Sequence, residues 1–122
     1  MKLLQPSPFA DLEKIIENEN AFAVYDSFPV SKGHALVIPK EEVKSIFDLS
    51  DEKYSDCFEL LKNLKILIEE KFQCQGFNIG INNGITAGQT VYHAHIHVIP
   101  RYKNDMENPR GGIRKIFPNN DY

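Results

Sequence analysis

The tightest constraint on this chain is the run Gly88-Gln89-Thr90-Val91-Tyr92-His93-Ala94-His95-Ile96-His97-Val98-Ile99-Pro100, which places three of the chain's four histidines at alternate positions. A strand rises ~3.3 Å per residue and sends successive side chains to opposite faces. Alternation therefore predicts a strand with His93, His95 and His97 in a row on one face, neighbours ~6.6 Å apart. Ala94, Ile96 and Val98 would face the other way, small and apolar as a core-facing row must be. Such a segment belongs to a sheet buried on one side, with its imidazoles directed at chemistry. The competing readings are a solvated histidine ladder and a set of hydrogen-bonded core histidines.

Imidazole is the side chain whose ordinary pKa lies close to neutral pH. A neutral ring can attack an electrophile, and a protonated ring can donate to a phosphate oxygen or a departing group. Three rings on one strand can divide these roles.

At 122 residues, with 42% hydrophobic and 25% charged residues, the chain has the size and composition of one globular domain with a real core. We expect residues 1–122 to form a single domain with a core over about 9–101 and a polar tail over 102–122. A net charge of −3 argues against a stable nucleic-acid binder, whose surface would be basic. Cys57 and Cys74 form no C-x-x-C pair, and Cys57 falls among apolar helix positions. The start Met1-Lys2-Leu3-Leu4-Gln5-Pro6 is too short for a signal-peptide core, and no apolar stretch approaches the ~20 residues of a membrane span. A cytoplasmic protein with no membrane partner is expected.

Residues 1–8 are expected to run extended. Ile15 to Asp26 reads as two short strands joined at Asn18–Asn20, followed by a turn at Asp26-Ser27-Phe28-Pro29. His34-Ala35-Leu36-Val37-Ile38-Pro39 reads as a central strand. Ser50 is the expected N-cap of a long helix with Asp51 and Glu52 in its first turn and Gly76 beyond its end. Its apolar stripe is read as Tyr54, Phe58, Leu61, Leu64, Ile68 and Phe72. Phe77 to Asn82 alternates as a strand, and Asn83-Gly84 turns the chain toward the histidines. The order points to an α+β fold with a largely antiparallel sheet and the helix on one face.

Several segments then converge on a candidate site. Gly88 permits positive φ, so Gly88-Gln89-Thr90 can form a backbone nest for an anion, with the Thr90 hydroxyl as a further donor. His34 opens the central strand, and its alternative is a structural histidine. Asn82 could donate to a phosphate oxygen or serve as a turn residue. Asp26 could accept from ribose hydroxyls or start its turn.

These residues together resemble the histidine triad superfamily. The carriers are His93-Ala94-His95-Ile96-His97-Val98-Ile99, the preceding Gly88-Gln89-Thr90-Val91, and the upstream Pro29-Val30-Ser31-Lys32-Gly33-His34-Ala35-Leu36-Val37-Ile38-Pro39. The resemblance covers roughly Ile15 to Arg101. It implies a five-stranded antiparallel sheet with one long and one or two short helices, and a homodimer. It implies that His95 attacks an α-phosphorus to give a nucleotidyl-histidine, that His97 contacts phosphate and leaving group, and that His93 and His34 support them. Asp26 would bind ribose, and Asn82, Gly88, Gln89, Thr90 and Val91 would line the phosphate site. Phe9, Leu12, Val24 and Leu36 would wall the base. No cofactor or protein-bound metal is implied, and a divalent cation would enter only with a polyphosphate substrate.

Departures from relatives narrow the branch. His97 stands where the nucleotidyl-transferase branch has glutamine, which favours hydrolysis. Pro6-Ser7-Pro8-Phe9 lacks the zinc-binding cysteine pair of some bacterial-type members. Thr90 leans toward dinucleoside polyphosphates and Asn82 toward nucleoside phosphoramidates. A His-x-His metal site and a non-catalytic nucleotide sensor are the alternatives to a hydrolase. If the tail acts, Arg110 or Arg114 is expected to reach the neighbouring subunit's site.

Overall fold

In the computed structural model, which describes residues 7–118, five strands make one antiparallel sheet in the order β1-β2-β3-β5-β4. They are β1 (Ile16–Glu17), β2 (Ala21–Tyr25), β3 (Ala35–Pro39), β4 (Gly76–Gly80) and β5 (Ile96–Arg101), with one long helix, α1 (Asp51–Phe72). Three short 3-10 turns, Ile46–Asp48, Ile85–Ala87 and Gly112–Ile116, complete the elements. The β1–β2 pair and the α+β architecture follow the sequence reading. Among the described residues no helix is long and apolar enough to cross a membrane.

The two faces of the sheet separate by the period of two. Ala21, Ala23, Ala35, Val37, Ile96 and Val98 pack under α1, and the alanines leave room for the helix to approach closely. Phe22, Val24, Leu36 and Ile38 point to the opposite face and form a second cluster with Phe9, flanked by Leu12 and Val91. Burial on both faces explains why β2 and β3 are almost continuously apolar. On β5, His97 lies opposite Leu36 of β3 and Gly80 of β4. It therefore belongs to the second face, which carries the site.

Helix α1 begins as expected: the Ser50 hydroxyl accepts from Lys53 N at 3.3 Å. Asp51 and Glu52 stand in its first turn and Leu64 and Ile68 are buried, as expected, but part of the stripe and the C-terminal end need correction. The buried stripe is Cys57, Leu60, Leu64 and Ile68, while Phe58 is exposed and stacks on Tyr54 with centroids 4.9 Å apart. The pattern was ambiguous because apolar residues occupy more than one face, and the small Cys57 rather than Phe58 fits against the sheet. The helix ends on Gln73, which takes the left-handed conformation (φ 57°) and donates its side-chain amide to Glu70 O at 2.7 Å. Gly76 instead opens β4, opposite Arg101.

Strand limits also shift. β3 starts at Ala35 and β4 ends at Gly80, so His34 and Asn82 lie just outside their strands. The expected extended N-terminal segment is described only from Ser7, where Ala10 N donates to Ser7 O and turns the chain at once; residues 1–6 lie outside the described set. Gly33 (φ 87°) completes the loop before His34, and a Cβ there would meet the Phe72 ring at 2.8 Å.

Candidate active site

The histidine run departs from the row that alternation predicts. β5 begins only at Ile96, because Ala94 N donates to Val43 O, a loop partner, at 2.7 Å rather than extending the ladder. His93 is turned into the protein, 2% exposed, whereas His95 and His97 reach the open face with ring centroids 5.0 Å apart. Three alternating histidines thus occupy different environments.

Each ring's hydrogen bonds fix which nitrogen carries its proton. His93 Nε2 faces the Pro39 carbonyl at 2.7 Å and must donate, which leaves Nδ1 to accept from the Ser7 hydroxyl at 2.5 Å. Both nitrogens are occupied, so His93 is a joint between the N-terminal segment, β3 and the histidine loop. His95 Nδ1 faces the His93 carbonyl at 2.8 Å and must donate. A neutral His95 then carries its lone pair on Nε2, and the Phe9 ring stands edge-on to it at 5.1 Å.

His34 and His97 form a relay of set direction. Val30 N–H donates to His34 Nδ1 at 3.1 Å, so the His34 proton sits on Nε2. That proton is given to His97 Nδ1 at 3.0 Å, which puts the His97 proton on its Nε2. Burial, reinforced by the charges of His95 and His34, pushes His97 down to about 4 against the opposing effect of Asp26. Burial likewise lowers His34, opposed by Asp26, and lowers His93, opposed chiefly by the Pro39 carbonyl. These three rings are neutral at pH 7, as the assigned tautomers require.

An open cleft of about 350 Å³ lies over this face, lined by His95, His97, Asp26, Asn82, Gly88, Gln89, Thr90 and Val91, with Phe9, Leu12 and Leu36 as its apolar wall. Pro8, Ser27 and Phe28 also line it; the sequence reading did not single them out, and only their nearness to Phe9 and Asp26 could have signalled them. Asp26 is tied at both oxygens: Oδ1 accepts from Phe28 N at 2.8 Å, and Oδ2 stands 3.5 Å from His34 Nε2.

Among the expected site residues Val24 lies outside the cleft, and Gly88 and Gln89 line it with backbone amides committed to their own loop. Val24 is fully buried beneath Leu36 and Phe9 and supports the wall from behind. Gln89 has its side chain committed, accepting from Gly84 N at 2.9 Å and donating to Lys44 O at 2.9 Å and Val91 O at 3.1 Å. Gly88 does take positive φ (94°), but its N–H donates to Ile85 O and that of Gln89 to Gly84 O. These two amides close the loop instead of forming an anion nest, because the 3-10 turn at Ile85–Ala87 captures them. In the C-terminal tail, the turn at Gly112–Ile116 rests on β4 of its own chain, with Gly112 close to Asn78 and Ile113 close to Gly80.

Asp26 Oδ2, His34 Nε2 and His97 Nδ1 lie within 4.8 Å of one another, a spacing a divalent metal could bridge. The donor set fits poorly. A metal-bound histidine normally donates its other N–H outward, but His34 Nδ1 already accepts from Val30 N–H. A metal on Nε2 would need a ring stripped of both protons. The arrangement suits proton positioning.

A family model described as HIT domain matches residues 9–104. An uncharacterized 16.1 kDa HIT-like protein of Mycoplasma pneumoniae is 40% identical over 93 residues, which is 76% of this chain and 65% of that protein. A bis(5'-adenosyl)-triphosphatase of Dictyostelium discoideum is 41% identical over 96 residues, 79% of this chain and 64% of that protein. The crystal structure of a HIT family protein from Bacillus anthracis has a TM-score of 0.72 at 43% identity, covering 76% of this chain and 66% of the other. The chain thus spans slightly less than two thirds of the length of these two curated relatives.

Proposed function

The chain belongs to the HIT family, and we propose that it is a nucleotide hydrolase that works at the α-phosphorus and releases a nucleoside monophosphate. The observation that carries this reading is the hydrogen bond from His95 Nδ1–H to the His93 carbonyl, which leaves the Nε2 lone pair of a neutral His95 as nucleophile at the cleft. The named activity of the Dictyostelium relative, a triphosphatase acting on a bis-adenosyl substrate, agrees with it.

In the first step His95 Nε2 attacks phosphorus, an N–P bond forms, and the bond to the leaving group breaks with its electron pair going to that group. His97 Nε2–H, held in direction by His34, hydrogen-bonds the phosphate oxygens and the departing atom. A departing amine takes up a proton from solvent. Water then attacks the nucleotidyl-histidine, an O–P bond forms as the N–P bond breaks, the proton of that water returns to solvent, and His95 is regenerated. Splitting one displacement into two lowers each barrier. Donors fixed in advance stabilise charge without reorganising as it develops. Thr90 and Asn82 supply further donors beside the phosphate, Asp26 accepts from ribose hydroxyls, and Phe9, Leu12 and Leu36 receive the base.

The substrates are dinucleoside polyphosphates or nucleoside phosphoramidates. No cofactor enters the steps, and a divalent cation arrives only as a polyphosphate counter-ion. The active unit is a homodimer with a symmetric interface. Its support is β4, a sheet-edge strand with Ile79 38% exposed. Two buried free cysteines suit a cytoplasmic setting.

The test is rapid acid-free quenching during turnover, followed by peptide mass spectrometry. A nucleoside monophosphate adduct on the peptide containing His95, absent from His95→Asn, is the expected result. Full turnover by His95→Asn would overturn the reading.

A further inference from the structure

The apolar wall of the cleft and its nucleophile come from distant parts of the chain, and one hydroxyl joins them. Ser7, 7% exposed, stands 2.5 Å from His93 Nδ1. The Pro39 carbonyl can only accept, so His93 carries its proton on Nε2 and its Nδ1 must accept; the Ser7 O–H therefore donates to it. The same oxygen accepts from Phe9 N at 3.3 Å. Ser7 thus has its proton assigned to the histidine run and a lone pair assigned to the wall.

Two paths run from this oxygen to His95. One passes through the His93 ring to the His93 carbonyl, which accepts from His95 Nδ1–H at 2.8 Å. The other passes through Phe9, whose ring stands edge-on to His95 at 5.1 Å and tilted against His93 at 5.8 Å. Together they close a ring of contacts, Ser7 to His93 to His95 to Phe9, around the nucleophile. From this closed ring we propose that Ser7 is a positioning residue that ties the base wall to the nucleophile, so that a nucleobase seated against Phe9 speeds the attack by His95 as well as tightening binding. The inference rests on the hydrolase reading and deepens it.

The turn that carries the wall is lightly held from within. Ala10 N donates to Ser7 O and Leu12 N to Phe9 O, both at 3.3 Å, the long limit of a hydrogen bond. The short Ser7–His93 bond anchors it across 86 positions of sequence. A base pressing on Phe9 then loads the Phe9–His95 ring contact, and the anchor keeps the wall from yielding. Without the hydroxyl, Phe9, Leu12 and Leu36 still offer carbon to the base, but the wall no longer constrains the His95 ring. Energy from a remote part of a substrate speeds the chemical step only where it is spent at the reacting centre. A misplacement of about 1 Å there costs up to about 10²-fold. A serine that merely capped its own turn would need only the bond from Phe9 N. The proton given to His93 is what reaches the site.

The experiment uses substrate pairs that differ only in the base: a nucleoside 5'-phosphoramidate and a dinucleoside triphosphate, each against its base-free counterpart. Rate constants for nucleotidyl-histidine formation are read in single turnovers at saturating enzyme, so that rate and affinity separate. In wild type the base is expected to raise this rate constant about tenfold, well inside what positioning can supply. In Ser7→Ala the with-base to base-free ratio falls to about one to two, the positioning gain being lost. Ser7→Thr and Ser7→Val share one shape and separate the hydroxyl from packing; the ratio in Ser7→Thr should exceed that in Ser7→Val by at least about threefold. A packing role alone would slow both members of a pair equally and leave the ratio at its wild-type value. That result overturns the inference, as do equal ratios in Ser7→Thr and Ser7→Val or a wild-type base effect confined to affinity, and each leaves the hydrolase reading standing. Absence of turnover with every substrate would contradict the hydrolase reading and the role of Ser7 together.

Discussion

The two ends of the histidine run share one residue type and one spacing, yet do opposite work. At the inner end His93 has both ring nitrogens occupied, by Pro39 O and the Ser7 hydroxyl, and is sealed from solvent. At the outer end His95 and His97 each have one nitrogen oriented by the protein, through the His93 carbonyl and His34, and face the cleft with the other. Residue type supplies the imidazole. The partner of each nitrogen decides whether that imidazole is a joint or turns a free nitrogen to the cleft, where we propose it acts as nucleophile or donor.

The comparison breaks most visibly if the reactive end is altered. His95→Asn should lower kcat by about 10⁴-fold or more, as loss of a nucleophile does, with a thermal midpoint within about 2 °C of wild type, since one surface contact shifts a small domain little. Steady-state kinetics and a melting curve check both halves. His97→Gln keeps a donor but loses the ring, and should lower kcat about 10²- to 10³-fold, in the range of a lost acid–base group. The loss should shrink with leaving groups that need no hydrogen bond, which a comparison of good and poor leaving groups will reveal.

At the inner end the pattern reverses. His93→Ala leaves the Ser7 hydroxyl and Pro39 carbonyl without their partner and opens a cavity, a cost of about 2–4 kcal/mol in denaturant unfolding. Equal stability would mean that His93 is no joint.

Acid sharpens the same contrast. The folded chain holds His34, His93 and His97 below the ordinary value of 6.5, His97 at about 4. Between about pH 6.5 and pH 4 the unfolded chain binds the extra protons, so stability present above pH 6.5 is lost on acidification. The thermal midpoint should fall by at least about 4 °C from pH 7 to pH 5, a shift of the size that about 1 kcal/mol produces. Replacing His97 by Gln should make this fall shallower. The smallest effect should come from chelation: the proton on His34 Nε2 already bridges to His97, so a chelator should change phosphoramidate turnover less than about twofold, on the scale where 1.4 kcal/mol would be tenfold.

Much of this was legible in the sequence because it depends on period and composition. The β1–β2 hairpin and the Ser50 cap follow from turn and capping chemistry, while Leu36 as a wall of the cleft came only with the family resemblance. What escaped depends on distant partners. Nothing local to His93 says that the hydroxyl of Ser7, 86 positions away, will donate to its ring. Nor does anything local to Gln89 say that Lys44 O, 45 positions away, will hold its side-chain amide. The helix face was misread at Phe58 because several apolar stripes compete, and only the sheet's alanine floor selects the one with Cys57.

The central claim is that His95 forms a covalent intermediate through a lone pair set by the His93 carbonyl. The most direct measurement is the stereochemical course at phosphorus, using a substrate made chiral at the α-position by sulfur and hydrolysed in isotopically labelled water. Two successive in-line displacements give overall retention of configuration, and retention is the predicted result. Inversion would mean that water attacks phosphorus directly and that His95 is not the nucleophile.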